Sequence, residues 1–207
     1  VERTPTLYVV ASPSGGGKTS LIVGLLRLDS RVSLSVSYTT RPARPGEVNG
    51  KHYHFIDEDT FHRLIRDGAL LEYAMVYGHH YGTGRAAVEE ELRNGRDVLL
   101  DIDWQGAQQI RSTFPACCTI YILPPSLDEL RRRLQQRGQD NAEIIAQRMA
   151  KARSEIAHWE EFDFVVINDD FDAALADLHA IIRERNPVRR DLSDRIAPLL
   201  AELLENE

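Results

Sequence analysis

The chain has 207 residues, room for one or two domains at roughly 150 residues each. Its 25 Lys and Arg against 32 Asp and Glu give a formal charge of −7, with 43% apolar and 28% charged residues. That mixture excludes a collagen-like or largely disordered chain, offers no run near the ~20 apolar residues of a membrane span, and disfavours generic nucleic-acid binding. The N-terminal stretch meets glycine after one short apolar run, unlike a secretory signal. Cys117 and Cys118 are adjacent in an apolar run and read as buried thiols of a reducing compartment.

Short apolar runs alternate with longer stretches of helical spacing. Residues 6–11 read as a buried strand, and 21–28 as a helix. Strands are predicted over 32–38, 52–56 and 70–78, and helices over 57–68 and 84–95, each stopped by glycine. A strand over 97–102 precedes a helix over 104–114, and the strand 117–123 stops at Pro124 and Pro125. Ser126 is placed to cap a helix over 127–138. A helical stretch covers 141–159, then a strand 162–168, a helix 171–185 and a tail helix 193–207 that contains Pro198.

This alternation predicts an α/β protein: a parallel sheet with helices on its faces. The segment 39–96 is richer in Tyr, His, Arg and Gly and reads as an insertion between core strands, while 126–157 is Arg-rich.

"SPSGGGKT" (12–19) lies between a predicted strand and a predicted helix. Loop glycines let backbone N–H groups turn toward phosphate oxygens. Lys18 then reaches the β- and γ-phosphates of a nucleoside triphosphate, and the Thr19 hydroxyl can ligate Mg²⁺. The strict pattern has glycine where Ser12 stands, so the backbone angles at Ser12 are the open point. Asp101, ending an apolar strand, suits a second Mg²⁺-organising carboxylate; an apolar run ending in Asp is common, so the phosphate loop gives it its meaning.

In "TTRPARPGEVNGKHYHF" (39–55), Arg41 and Arg44 stand three apart among prolines and glycines. Two guanidinium forks on a stiff loop suit a phosphomonoester, and Tyr53 and Tyr81 can add phenolic donors. The bland alternative is two solvated arginines and two packing tyrosines. His52 and His54 share one face by strand alternation, and nothing in the spacing forces a zinc site. Arg131, Arg132 and Arg133 read mostly as a solvated helix face with packed aliphatic stems.

The spacing of Thr39, Thr40, Arg41, Arg44, Glu47, Gly50, Tyr53, Phe55 and Ile56 resembles the signature of guanylate kinases. The resemblance continues through "LLEYAMVYGHHYGT", "LDIDWQGAQQIR", "ILPPS", "RGQD" and "VINDD", over roughly residues 6 to 185. It implies the P-loop nucleoside monophosphate kinase fold, a three-layer α/β parallel sheet, in a single domain. The core would be 1–36, 97–125 and 158–207, with a GMP-binding insertion at 37–96 and a helical lid at 126–157.

By the same resemblance, Ser12, Pro13, Ser14, Gly15, Gly16, Gly17, Lys18 and Thr19 bind ATP, with Asn168 and Asp169 near its adenine. Arg41, Arg44, Tyr53 and Tyr81 hold the GMP phosphate. Ser37, Glu72 and Thr83 hold the guanine, with Asp103 as a further carboxylate beside the base. Arg137 and Arg148 match lid arginines that close on the transferring group and act with Lys18 and Arg44. As the loop and the strand end already suggest, Thr19 and Asp101 are the expected Mg²⁺ ligands, and Asp101 is also expected at the acceptor site.

Physical chemistry agrees with the base assignment. Guanine offers N1–H and N2–H side by side, which a Glu72 carboxylate can accept, and hydroxyls at Ser37 or Thr83 can donate to O6. Adenine would leave that carboxylate facing a lone pair, a mismatch a polar site rejects strongly.

The implied activity is transfer of the γ-phosphoryl group of Mg·ATP to GMP, with dGMP as a further expected acceptor, in purine nucleotide metabolism in the cytoplasm. The expected partners are these small molecules, with no nucleic acid and no membrane. The tail helix, with Ile196, Leu199, Leu200, Leu203 and Leu204, would pack on its own core or on a second copy. Two rivals stand beside this reading: a kinase for another monophosphate, and a phosphopeptide-binding module that has lost catalysis.

Overall fold

The computed structural model describes residues 4–136, 142–184 and 193–205; Arg137 and Gly138 lie outside the described residues. In chain order the elements begin β1 (Leu7–Ala11), α1 (Lys18–Leu28), β2 (Val32–Leu34), β3 (Tyr38–Thr39), β4 (His54–Phe55), α2 (Glu58–Arg66), β5 (Leu70–Val76), β6 (His79–Gly84), α3 (Arg85–Arg93) and β7 (Asp97–Asp101). They continue α4 (Trp104–Thr113), β8 (Cys118–Leu123), α5 (Leu127–Gln136), α6 (Ala142–Ile156), β9 (Phe164–Ile167), α7 (Phe171–Glu184) and α8 (Ser193–Glu205). Among the described residues no helix is long and apolar enough to cross a membrane.

The chain forms two compact units. One is Val1–Val9 with Ser30–Cys118; the other is Val10–Asp29 with Thr119–Glu207. In the first, strands run in the hydrogen-bonded order β2-β7-β1. β2 and β7 are parallel, with Val32 opposite Asp97. Val98, Leu99 and Leu100 are all buried, as expected of a strand covered on both faces. The buried Asp97 carboxylate accepts from the Thr6 amide at 2.8 Å.

The same unit carries a second sheet of order β4-β3-β6-β5. Here the structure corrects the predicted strands. The alternation over 32–38 is not one strand: Ser35 N–H makes a last bond to Leu99 O at 3.0 Å, and Tyr38 and Thr39 then pair with β6 and β4 instead. β6 was not predicted, because "HHYGTG" has neither apolar alternation nor β-branched density. It is held by pairing: β5 and β6 form an antiparallel hairpin with Val76 opposite His79. The two turn residues, Tyr77 and Gly78, have φ of 50° and 79°, the left-handed pair that a right-twisted hairpin favours.

Helix ends follow local chemistry. The Asp57 carboxylate accepts from Thr60 N–H at 2.7 Å and caps α2. Gly68, at φ 62°, closes it, with Ala69 N–H bonded to Leu64 O at 3.0 Å. The side chain of Gln109 on α4 clasps the edge strand β5, accepting from Tyr73 N–H at 3.1 Å and donating to Tyr73 O at 2.8 Å.

In the second unit β8 and β9 are parallel. Asp163 braces them, accepting from the Thr119 amide and hydroxyl, each at 2.8 Å. Ser126 caps α5 as expected, accepting from Glu129 N–H at 3.1 Å. α7 packs on β9 and α1, and Gly24 lets α1 sit close to Phe171 and Leu175. α8 lies against α6, with Leu199, Leu200 and Leu203 buried, so most of the apolar face of the tail helix is covered within its own unit, while Leu204 stays exposed. Cys118 is buried, but Cys117 is half-exposed. It falls in the turn before the strand, where its N–H bonds to Phe114 O at 2.9 Å, so only one of the two expected buried thiols is buried.

Candidate active site

In the second unit, the segment 12–19 wraps between β1 and α1. Gly15 and Gly17 each have φ of 90°, and Gly17 is the N-cap of α1. These left-handed angles require glycine. Ser12 has no positive φ, so serine is tolerated there without strain; its Cβ and Oγ pack 3.0 and 3.2 Å from where a Cβ on Gly16 would stand. Gly16 N–H bonds to Pro13 O at 2.9 Å. Lys18 is half-buried and Thr19 exposed at the head of α1.

Asn168 and this loop are brought together. Asn168 Nδ2 donates to Gly16 O at 2.8 Å and fills the space that a Cβ on Gly17 would need. Asp169 is exposed, its carboxylate accepting from Asp170 N–H at 2.8 Å. Arg148 is half-buried on α6.

Arg133 corrects the expected solvated face. Its Nη1 donates to Gly16 O at 3.3 Å, its Nη2 to Asn168 O at 3.0 Å, and its Nε to Glu129 Oε1 at 2.7 Å. Hydrogen bonds from Arg132 and then Arg133 pull the Glu129 carboxyl down to about 2. Arg131 and Arg132 are exposed. The signal for Arg133 was in the spacing: it lies one turn from Leu130 and next to Leu134, both fully buried, at the border of the packed face. Glu155 was also missed. It is buried, and its Oε2 accepts from Ser14 N–H at 3.2 Å.

In the first unit, Arg41 is buried. Its Nη2 meets Glu47 Oε1 at 2.7 Å and its Nη1 donates to Pro42 O at 2.7 Å. The guanidinium lies over the rings of Tyr53 and Phe55, 5.4 and 5.7 Å from their centroids. The other Glu47 oxygen accepts from Arg44 N–H at 2.7 Å. One carboxylate thus orients one arginine and fixes the backbone of the next. The sequence offered Glu47 as part of a pattern without a role. The hydrogen bond to Arg41 lowers the Glu47 carboxyl, and the same bond raises Arg41. With five donors on its fork, Arg41 keeps capacity for an anion beyond Glu47. Arg44 is exposed. Tyr53 and Tyr81 meet edge to face at 5.9 Å, and burial, then the nearby Asp101, pushes the Tyr53 phenol up to about 12.

Glu72 and Thr83 are cross-strand neighbours on β5 and β6. Both are buried, and the Thr83 hydroxyl donates to Glu72 Oε1 at 2.6 Å. Ser37 is buried, and its carbonyl accepts from His54 N–H at 2.9 Å. Asp103 caps α4, accepting from Gly106 N–H at 2.9 Å and Gln105 Nε2 at 3.2 Å. Asp101 is half-buried at the end of β7. His54 stacks on Tyr38 at 4.7 Å and His80 on Phe61 at 5.1 Å, so these imidazoles serve packing.

The family model for guanylate kinase matches residues 4–185. The guanylate kinase of Alkalilimnicola ehrlichii is 56% identical over 201 residues, 97% of each chain. That of Vibrio cholerae is 52% identical over 201 residues, covering 96% of this chain and 97% of its own. The crystal structure of guanylate kinase from Anaplasma phagocytophilum superposes with a TM-score of 0.74 at 33% identity, over 96% of this chain and 94% of that one. The fold is that of a P-loop nucleoside monophosphate kinase. A match that runs through the phosphate loop, the Arg41 segment and the Glu72 hairpin alike places the chain in the guanylate kinase family.

Proposed function

We propose that this enzyme performs its family's reaction, phosphorylating GMP to GDP at the expense of ATP, with ATP on the loop 12–19 and GMP in the segment 37–96. The observation that carries the acceptor's identity is the buried Glu72 carboxylate held by Thr83, in the unit that also orients Arg41. Because the Thr83 hydroxyl is already turned to Glu72, its task is to orient that carboxylate, and donation to guanine O6 falls to Ser37.

Phosphoryl transfer asks the protein for alignment and charge neutralisation rather than covalent help. An oxygen of the GMP phosphate bonds to the γ-phosphorus as the bond from that phosphorus to the β-bridging oxygen breaks, and ADP leaves. The GMP phosphate is itself a nucleophile near neutral pH, so the transfer needs no general base. Arg41, Arg44, Tyr53 and Tyr81 seat the acceptor phosphate. Lys18, Arg44, Arg137 and Arg148 counter the charge that spreads over the transferring oxygens. Asn168 and Asp169 would border the adenine, with the Asn168 amide bracing the phosphate loop at Gly16 O. Hard oxygen donors suit Mg²⁺, and Thr19 and Asp101 supply them; the ion would neutralise the β- and γ-phosphates. The adjacent Cys117 and Cys118 support a cytoplasmic setting.

The test is a steady-state screen of GMP, AMP and UMP with Mg·ATP on wild type and Lys18→Ala. GMP should exceed AMP in kcat/KM by roughly 10⁴-fold, the scale on which a hydrogen-bonding site rejects a mismatched base. Lys18→Ala should abolish turnover. AMP outpacing GMP would overturn the acceptor assignment, and absence of turnover in both proteins would overturn the reaction.

A further inference from the structure

Gly106 is the third residue of α4 and is buried. Glycine is among the least favourable residues in a helix, and Gly106 has no positive φ that would call for it. Its N–H is spent on the Asp103 cap at 2.9 Å. What surrounds its Cα explains the choice. A Cβ there would stand 2.6 Å from Glu72 Oε2, 3.2 Å from Glu72 Cδ and 3.1 Å from Ile102 Cδ1. Real side chains do not approach so closely, so any other residue at 106 would drive the carboxylate away. The other oxygen of that carboxylate is held at 2.6 Å by Thr83. Glu72 is therefore fixed from two sides, by a hydroxyl on the neighbouring strand and by a hole in the first turn of α4.

We infer that Gly106 is a specificity-determining positioning residue: the missing side chain sets the depth of Glu72, and so fixes where its oxygens meet the N1–H and 2-amino edge of the acceptor purine. The inference rests on the reading of Glu72 as the group that recognises guanine. Gly106 touches no substrate; it acts through Glu72. The atoms a Cβ would meet are the far ends of Glu72 and Ile102, both flexible, so the effect of filling the hole falls on the carboxylate rather than on the backbone.

The discriminating analogue is IMP, which lacks the 2-amino group. In Gly106→Ala, KM for GMP should rise about tenfold or more, the range that a displaced contact produces. The GMP-to-IMP ratio of kcat/KM should fall by a similar factor, while KM for ATP stays within about twofold. The protein should stay folded, because the helix propensity gained with alanine offsets part of the cost of displacing the buried carboxylate. Adding Glu72→Asp shortens the side chain by one methylene and makes room for the new Cβ, so Gly106→Ala with Glu72→Asp should bind GMP better than Gly106→Ala alone. An unchanged GMP-to-IMP ratio in Gly106→Ala, with the ratio collapsed in Glu72→Gln, overturns the inference and leaves the guanine reading standing. An unchanged ratio in Glu72→Gln overturns that reading and the inference with it. Loss of folding in Gly106→Ala also overturns the inference, because the contact would then carry the helix rather than the carboxylate.

Discussion

The phenol of Tyr53, raised to about 12 by burial, then by the negative charge of Asp101 and the neighbouring Tyr81, makes a prediction at the residue scale. An unfolded tyrosine titrates near 10. The folded state therefore holds this proton more tightly, and the stability it adds is complete below pH ~10 and lost as pH climbs toward ~12. A tyrosinate absorbance titration of wild type should show one step near 12 that Tyr53→Phe lacks, and wild-type stability should fall more steeply across that window than the variant's. At this scale, types and spacing made part of the site legible. Arg41 could be singled out because a guanidinium fork on a stiff loop suits a phosphate, whereas Glu72 and Thr83 come only through the resemblance to guanylate kinases, since Glu72 by itself reads as a polar residue on a half-exposed strand. Glu47 could not be singled out, because its role exists only once Gly46, at φ 86°, folds the loop back and brings its carboxylate to Arg41 and to Arg44 N–H. Arg137 belongs to the same expected set and lies outside the described residues.

Among elements, α5 carries a tie that the border position of Arg133 beside buried Leu130 and Leu134 hints at. Arg133 spans Glu129, Gly16 O and Asn168 O with one planar fork. A lysine keeps the charge but cannot donate in three fixed directions. Arg133→Lys should raise KM for ATP several-fold, by roughly the worth of one charge-assisted hydrogen bond, while KM for GMP stays level; initial rates with each nucleotide varied in turn will show the split. Caps and stops such as Gly68 and Ser126 were readable because their chemistry is local. β6 was not, since what makes "HHYGTG" a strand is the partner across the hairpin. The break after Leu34 was hidden for a related reason: an unbroken alternation of residues cannot record that the chain leaves one sheet for another.

For the molecule as a whole, α8 is the element whose destination the sequence left open. Its Leu203 is fully buried and the helix lies on α6. Leu203→Ala should cost about 3 kcal/mol, read as a fall of roughly 6–12 °C in melting temperature at this chain length, with nucleotide KM values unchanged. The strand-then-helix rhythm disclosed the fold class because each parallel strand needs a crossover to reach the next. It could not disclose how α8 is covered, since an amphipathic stripe specifies that something must cover it and not what. The Gln109 clasp on β5 has its own bearing on solution behaviour. Strand edges invite other copies of a chain to add on, and this edge displays Tyr73 and Met75 outward. With both main-chain groups of Tyr73 taken by one amide, an incoming backbone finds no partners at that rung, so the exposed tyrosine ring is not backed by an open hydrogen-bonding ladder there.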